Sequence, residues 1–333
     1  MKSIIIYRLG SMGDTVISLP CLHKVSSSFP GYRKILLTNN PVSSKAIPTD
    51  DLLMPAGIID EIINYNVGLR SIPDLAKLRK KIVLTGADTV IYLKSSKGFF
   101  PYLREYIFFH LSGIKNIIGG GFINSLLDNK SNPRTGFIEF EAERLARSIK
   151  NLGDIDLQSE DAWSLFLTED ELRFADAKLA SLGTDKFIAI NIGGKNPNKD
   201  WGQGNWKLLI SEISGSYPDF GFVVVGSSDE WLRARDLLLE STTKSINLCG
   251  VLKPRQTAAI LSKSSFFIGH DSGPLHLAAS VQARCIGIFG NLNKPNKWHP
   301  YGNKHIVFHS MDGIDSINVS EVLNGVTKMV NSL

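Results

Sequence analysis

The chain contains 333 residues, 43% of them hydrophobic and 21% charged, a composition that excludes a disordered or fibrous protein. The net charge of +5 is unevenly distributed: residues 1–150 carry 20 Lys and Arg against 12 Asp and Glu, and residues 151–333 carry 17 against 20. The basic first half suits an anionic substrate or an anionic membrane surface. Because no dense basic run with interleaved aromatic residues occurs, we expect no nucleic-acid partner.

The cysteines and the apolar runs bear on the compartment. Cys21, Cys249 and Cys285 have neither the even number of a disulfide framework nor the spacing of a zinc site. No uncharged apolar run approaches the roughly 18 residues of a spanning helix, and Arg8 interrupts the first run too early for a signal peptide. We therefore expect a cytoplasmic protein of two domains.

The first half alternates apolar runs with helical patterns. The runs predict strands at Ile4–Tyr7, Lys34–Thr38, Glu61–Tyr65 and Asp88–Leu93. Gly10 and Gly13 allow a tight turn after the first strand, and the turn places Asp14 at the start of a helix. The simplest interpretation of Asp14 is an N-cap, because Asp is favoured at that position.

The second half continues the alternation. Strands are predicted at Trp163–Leu167, Phe187–Ile192, Gly221–Val225, Ile246–Leu248, Phe266–Gly269 and Cys285–Phe289. Helical patterns are clearest at Glu139–Leu152, Asp170–Leu182, Asn205–Ser216, Glu230–Leu239 and Pro254–Ser262. This alternation is typical of α/β proteins with doubly wound parallel sheets, whose functional loops lie at the carboxyl ends of the strands. The polar stretch Asn151–Asp161 contains the boundary, so we predict two Rossmann-like domains, 1–155 and 156–333, that face each other across a cleft.

Two loops of the second half carry candidate phosphate and ribose ligands. Gly193 ends a strand, and the following loop contains Lys199, which is either a point charge for phosphate or a solvated loop lysine. After the next strand, Asp229 or Glu230 either accepts hydrogen bonds from a ribose or simply complements a helix dipole. The loop is not a Walker motif, because the Gly-Lys-Ser/Thr order is missing.

A third loop lies in the stretch HDSGPLHLAAS, residues 270 to 280. Pro274 suits a first helical turn, and Ser272 and Gly273 leave backbone N–H groups free to face an anion. His276 lies in the same turn. The pattern predicts an anion site, and the alternative is a simple helix cap with His276 in the core.

Taken in order, these stretches resemble the family 9 glycosyltransferases, the bacterial heptosyltransferases that build the lipopolysaccharide core. The matching segments are RLGSMGDTVISLP, EFEAERLARSIKNLG, NKDWGQGNW, DSGPLHLAAS and IFGNLNKPNKWHPYG. The resemblance spans essentially the whole chain. It implies a GT-B architecture and transfer with inversion from a nucleotide-activated sugar, most often ADP-heptose, with no cofactor beyond that donor.

The resemblance also implies roles for single residues. Asp14 matches the general base. The donor-binding positions are Gly13, Gly193, Lys199, Glu230, Asp271, Ser272, Gly273 and His276. Two departures occur: Ser272 stands where the family usually has threonine, and Gly202 stands where a proline commonly follows the tryptophan. The second departure bears on the position of Lys199.

For the acceptor, the stretch KSSKGFFPYLREYIFFH at residues 94–110 mixes basic and aromatic side chains. Lys94, Lys97 and Arg104 suit a phosphorylated or acidic lipid-linked glycan, so we assign them to acceptor binding in the N-terminal domain. The C-terminal domain then binds the nucleotide sugar. The aromatic residues belong either to the core or to a peripheral contact with the inner membrane.

Three alternatives stay open on the sequence. Asp154-Ile155-Asp156 fits an Asp-x-Asp metal motif, although we expect it in the interdomain linker and expect no metal. A nucleotide-sugar epimerase shares the two-domain architecture. A catalytically silent protein that binds a sugar nucleotide or a glycan would keep the donor loops without turnover.

Overall fold

The computed structural model describes residues 1–40, 50–95, 98–122, 127–194 and 196–333. The chain forms two compact units, Met1–Leu165 and Phe166–Leu333. The division falls after Leu165 and not after residue 155, because the 3₁₀ helix Glu160–Trp163 and the residues that follow it contact the helix Leu19–Ser28 of the first unit, where His23 Nε2 lies 2.8 Å from the Ser164 carbonyl. There, Trp163 Nε1 donates a hydrogen bond to the Leu157 carbonyl at 2.9 Å. The strand predicted at Trp163–Leu167 is therefore wrong.

The first unit is a five-stranded parallel sheet with the strand order β3-β2-β1-β4-β5. Its strands are β1 (Ser3–Tyr7), β2 (Arg33–Asn39), β3 (Glu61–Tyr65), β4 (Thr89–Tyr92) and β5 (Asn116–Ile118). Its described helices are α1 (Met12–Ile17), α2 (Leu19–Ser28), α3 (Asp50–Leu53), α4 (Ile72–Leu84), α5 (Phe99–Leu111) and α6 (Glu141–Ser148). The order reverses between β1 and β4, the point where open α/β sheets bind ligands.

The second unit is a six-stranded parallel sheet with the order β11-β10-β9-β6-β7-β8, which is the Rossmann arrangement. Its strands are β6 (Phe187–Asn191), β7 (Gly221–Val224), β8 (Ser245–Asn247), β9 (Phe266–His270), β10 (Cys285–Phe289) and β11 (Ile306–His309). Its helices are α7 (Glu169–Leu179), α8 (Gln203–Ser216), α9 (Trp231–Leu238), α10 (Pro254–Ser262), α11 (Gly273–Ser280) and α12 (Val319–Val330). The switch point lies between β6 and β9.

Burial explains which strands the sequence reveals. The central strands β1, β6 and β9 are buried at every residue, so each appears as a continuous apolar run. Strands β5 and β11 were not predicted; both lie at a sheet edge, are only partly buried and have just two or three consecutive apolar residues. Among the described residues, no helix is both long and apolar enough to span a bilayer.

Candidate active site

Lys199 and Asp271 meet at the switch point of the second sheet. β6 and β9 are neighbours, and each leads into one of the two loops. Lys199 Nζ lies 2.5 Å from Asp271 Oδ2 and 3.3 Å from the Asp271 carbonyl. The lysine side chain is one-quarter exposed and the aspartate side chain one-tenth. The structure thus brings together a half-sheltered cation and anion that stand far apart in sequence.

Lys199 is held by a short 3₁₀ helix, Pro197–Lys199, that begins at Asn196. The side chain of Asn196 accepts from the Asn198 N–H at 3.0 Å. On the other side, Asp200 pairs with Arg233 at 2.6 Å and accepts from the Gly202 N–H at 2.9 Å. Gly202 has φ +92°, a conformation that proline cannot adopt and that glycine adopts freely. The departure from the family pattern therefore leaves the loop firmly anchored.

His270, which sequence reasoning missed, also fixes this loop. Its Nε2 accepts a hydrogen bond from the buried Trp201 N–H at 3.1 Å. Burial lowers the pKa of His270 to about 4, although the carboxylate of Asp200 opposes the shift. The imidazole is therefore neutral at physiological pH, which its role as acceptor at Nε2 requires. His270 positions the chain between Lys199 and α8.

Asp271 has a second partner on the loop after β10. Asn293 Nδ2 donates to Asp271 Oδ2 at 2.8 Å, the same oxygen that Lys199 contacts. The Asn293 carbonyl lies 3.1 Å from His309 Nε2, and His309 Nδ1 lies 2.8 Å from His299 Nε2. Burial lowers the pKa of both histidines, that of His299 to about 4. Two neutral histidines thus support the loop that orients the Asp271 carboxylate.

The amino end of α11 lies beside this ion pair. Ser272 is the N-cap residue of α11, but its hydroxyl donates to Asn191 Oδ1 at 3.0 Å. Among the described residues, its side chain accepts no hydrogen bond from the N–H groups of α11. The first-turn N–H groups therefore face outward with the positive end of the helix dipole. Gly273 begins the helix, and His276 is buried one turn further on. This end of the helix is suited to an anion.

Glu230, and not Asp229, turns toward the loop after β6. Its Oε2 lies 3.3 Å from Asn191 Nδ2, which the sequence did not reveal as a site residue. A Cβ on Gly193 would lie 2.1 Å from Glu230 Oε1, so only glycine leaves room for this carboxylate. Asp229 is exposed. Gly193, Asn191 and Glu230 thus lie together at the carboxyl ends of β6 and β7.

In the first unit, Asp14 is part of a capping box. Its Oδ2 accepts hydrogen bonds from the Ser11 N–H at 2.7 Å and from the Ser11 hydroxyl at 3.0 Å. A Cβ on Gly10, whose φ is +142°, would lie 2.4 Å from the Asp14 carboxyl carbon. Asn39, at the end of β2, accepts from the Gly10 N–H at 2.7 Å. Gly13 is buried beside Asp14 in α1. The prediction that Asp14 is the N-cap is therefore wrong: Ser11 is the N-cap of α1, and Asp14 lies three residues later, where its Oδ2 completes the capping box. Its Oδ1 takes no part in the hydrogen bonds to Ser11.

A buried cation lies behind this turn. The Arg8 guanidinium donates to the Asp14 carbonyl at 3.0 Å and to the Leu93 carbonyl at 2.7 Å, so it joins the ends of β1 and β4. It also pairs with the buried Glu141 at 3.3 Å, and its Nη2 lies 3.8 Å from Asp14 Oδ1. Glu141 in turn holds Arg144 at 2.6 Å. The network ties the segment around Asp14 to α6.

Of the three residues assigned to acceptor binding, one is ion-paired, one is exposed and one lies outside the described residues. Lys94 Nζ pairs with Glu105, and the Tyr92 hydroxyl donates to the same carboxylate at 2.6 Å. Arg104 is exposed on α5. Lys97 lies outside the described residues. Sequence reasoning missed the neighbouring tyrosines: the Tyr7 and Tyr65 hydroxyl oxygens lie 2.7 Å apart, and burial raises the pKa of Tyr65 to about 12, so it stays a neutral donor and acceptor.

The alternative metal motif is exposed. The Asp154 side chain is 88% exposed, and Lys150 Nζ lies 3.7 Å away. Within the described ranges, no group of three or more His, Cys, Asp or Glu side chains is placed to hold a metal ion. The three cysteines are buried free thiols, and burial raises the pKa of Cys21 to about 12.

The model of the glycosyltransferase family 9 (heptosyltransferase) domain matches residues 141–321, more than half of the 333 residues. The chain belongs to glycosyltransferase family 9. The matched region contains the Lys199–Asp271 pair, Glu230 and α11. It begins after Asp14, Lys94 and Arg104, so the match does not test the roles predicted for these residues.

Relatives of this family 9 chain agree with that assignment. It is 25% identical over 153 residues to the lipopolysaccharide core heptosyltransferase OpsX of Haemophilus influenzae; the alignment covers 44% of this chain and 41% of OpsX, so it spans about two-fifths of that relative. The solved family 9 glycosyltransferase of Veillonella parvula superposes with a TM-score of 0.75 at 19% identity, covering 100% of this chain and 98% of the other. Escherichia coli heptosyltransferase WaaC with ADP superposes with a TM-score of 0.69 at 17% identity, covering 99% and 100%. These superpositions confirm the predicted two-domain α/β fold.

Proposed function

We propose that this family 9 protein is an inverting glycosyltransferase that moves a sugar, heptose from ADP-heptose, onto a lipopolysaccharide-core or related surface-glycan acceptor. Family membership supports the reaction class, and the names of OpsX and of WaaC with ADP support the nucleotide and the acceptor class. The observation that carries the proposal is the Lys199–Asp271 pair beside the amino end of α11, at the switch point of the second sheet.

The chemistry of the leaving group explains why these residues matter. When the anomeric C–O bond breaks, negative charge accumulates on the departing diphosphate, and preorganised positive groups stabilise it. Lys199 and the uncapped N–H groups of α11 are such groups. In this scheme they balance the charge without a metal, so EDTA leaves turnover unchanged.

Donor binding then requires the ion pair to open. The diphosphate takes Lys199 Nζ from Asp271, and the freed carboxylate, still held by Asn293, accepts hydrogen bonds from sugar hydroxyls. Glu230 accepts hydrogen bonds from the ribose beside Gly193. Ser272 and His276 complete the wall of this donor site.

Asp14 acts as the general base in the proposed reaction. The acceptor hydroxyl oxygen forms a bond to the anomeric carbon as the bond to the diphosphate breaks, and Asp14 Oδ1 takes the hydroxyl proton. Oδ2 stays hydrogen-bonded to Ser11 and fixes the carboxylate. Arg8 Nη2, 3.8 Å from Oδ1, lies on the other side of the carboxylate and helps to hold its position.

The acceptor is an anionic lipid-linked glycan in this proposal, bound by Lys94, Lys97 and Arg104. Lys94 is already paired with Glu105, so of the two acceptor candidates that the structure describes, Arg104 is the more open to an acceptor phosphate. The proposed compartment is the cytoplasm, where buried thiols such as Cys21 stay reduced.

Calorimetric titration with ADP, UDP, GDP and CDP tests the donor site. We expect selective ADP binding, weakened on the order of tenfold or more in Lys199→Ala, because one charge-assisted contact contributes about 1.5–3 kcal/mol. Asp271→Asn removes the competing anion, so it should bind ADP at least as tightly but lose affinity for ADP-heptose relative to ADP. Lys207→Ala is the matched control, because Lys207 pairs with Glu240 at the surface of the same unit.

Other outcomes identify the alternatives. Selectivity for another nucleotide would discard ADP-heptose as the donor. Release of an isomerised sugar from donor alone would indicate an epimerase. Nucleotide binding without turnover on any offered acceptor would indicate a silent binding protein, and equal ADP affinity in Lys199→Ala would refute the placement of the diphosphate.

A further inference from the structure

One face of α5 is apolar although it points away from the sheet. On the inner face, Tyr102 and Phe109 are buried in the core of the first unit. On the outer face, Phe100 is 80% exposed, Ile107 48% and Leu111 63%. Together with Arg104, these positions recur at the spacing i, i+4, i+7 and i+11, which forms one stripe along a helix. A surface helix normally presents polar residues there.

The end of α4 extends this stripe. Leu78 and Ile82 of α4 belong to the same buried core as α5. Arg79 Nε donates to the Leu111 carbonyl at 2.6 Å, so the carboxyl-terminal ends of the two helices are neighbours. There α4 exposes Val83, Leu84 and two lysines. We call the following residues the α4–α5 patch: Lys80, Lys81, Val83, Leu84, Phe100, Arg104, Ile107 and Leu111.

The charge of the patch is positive. Helix α4 contains four basic residues and a single acidic one, Asp74, which pairs with Lys77. Lys80, Lys81 and Arg104 form no ion pair with any residue that the structure describes. Exposed apolar side chains with adjacent cations are the combination that a bilayer with anionic headgroups stabilises, through apolar insertion and electrostatic attraction together.

We propose that the α4–α5 patch docks the protein on an anionic phospholipid bilayer, with Phe100, Ile107 and Leu111 at the headgroup boundary. This docking proposal deepens the proposed function. It rests on that function in one respect: a lipid-linked acceptor is presented at such a bilayer surface. A second copy of the chain is a poorer occupant, because two patches of equal positive charge repel each other. α4 and α5 both pack on the core through their inner faces, so docking needs no rearrangement of the fold.

Vesicle flotation without donor or acceptor tests the docking. The full chain should float with phosphatidylethanolamine vesicles that contain phosphatidylglycerol and should stay behind with pure phosphatidylcholine. Lys80→Gln with Lys81→Gln should lower the partition coefficient about fivefold for each charge removed, and Ile107→Gln with Leu111→Gln should lower it on the order of tenfold. Leu239→Gln and Lys328→Glu, at exposed positions of the second unit, are matched controls and should float as the wild type does.

The readouts separate this proposal from the donor assignment, because ADP titration of the same variants should give wild-type affinity. No flotation of the wild type, equal flotation with neutral vesicles, or flotation undiminished in both patch variants would overturn the docking proposal. So would a concentration-dependent dimer that the patch variants abolish, which would make the patch an interface between copies. Flotation that depends on the patch, in a protein with no transfer activity, would support docking and refute the proposed function.

Discussion

Asp14→Asn separates the two roles that the structure gives to one side chain. Asparagine retains an oxygen that accepts from the Ser11 N–H, now 2.7 Å from Asp14 Oδ2, so the helix cap survives. The lost charge at the helix start costs about 0.3–1 kcal/mol of unfolding free energy. A general base contributes roughly 10²–10⁴ in rate, so turnover should fall by that factor. Stability and activity should therefore change on very different scales.

The assay measures ADP release from ADP-heptose with an acceptor, beside urea unfolding of the same preparations. Ser11→Ala is the matched control, because it removes a cap partner and about 1 kcal/mol of stability but leaves the carboxylate in place. We expect Ser11→Ala to stay within a few-fold of wild-type turnover. If Asp14→Asn also stays within a few-fold, or if both variants lose activity in proportion to stability, Asp14 is a helix cap and not the base.

Two further predictions concern stability. Burial lowers the pKa of His270 to about 4 in the folded protein, against about 6.5 in the unfolded chain. As the pH falls, the unfolded state therefore binds the proton first. This group should lower the free energy of unfolding by about 1.4 kcal/mol between roughly pH 7.5 and pH 5.5. Urea unfolding at the two pH values checks it, and no loss of stability at the lower pH would contradict it. Gly10→Ala should cost about 1–3 kcal/mol, because its φ is positive and its Cβ would overlap Asp14. Gly31→Ala is the control, since its φ is also positive but no atom lies within 4 Å of the added carbon, and an equal cost in the two variants would show that the contact with Asp14 does not matter.

The ion pair between Lys199 and Asp271 has a consequence for ligand binding at the proposed donor site. Lys199 is not a preformed free cation; Asp271 already holds it at 2.5 Å. An incoming diphosphate must therefore bind more strongly than the single carboxylate of Asp271 does. Its second negative charge and its hydrogen bonds from the α11 N–H groups can supply the additional binding energy. A simple monoanion should compete poorly for Lys199, which favours diphosphate-containing ligands over ordinary cellular anions.

Local sequence patterns were enough to predict most of the strands and helices. Strands β3 and β10 and helix α10 have the bounds that the sequence predicts, because apolar runs and helical spacing report burial directly. The glycines around Asp14 and at Gly193 also marked the loops that follow β1 and β6. The strand prediction at Trp163 was wrong, because this partly buried residue ends a 3₁₀ helix and its indole N–H donates to the Leu157 carbonyl, and so short a helix has no periodicity that the sequence reveals.

The sequence by itself determined the class of fold, the alternation of strands and helices, and the loops that carry Asp14, Lys199 and Asp271. Tertiary structure alone decided the partners of these groups. Asn293, His270 and Arg8 have no local motif, because their hydrogen bonds to Asp271, Trp201 and Leu93 join segments that are separated in sequence and depend on the sheet order, not on spacing. Likewise, Glu230 and not Asp229 contacts the loop after β6, because the missing side chain of Gly193 leaves room for the Glu230 carboxylate. That contact exists only when β6 and β7 lie side by side.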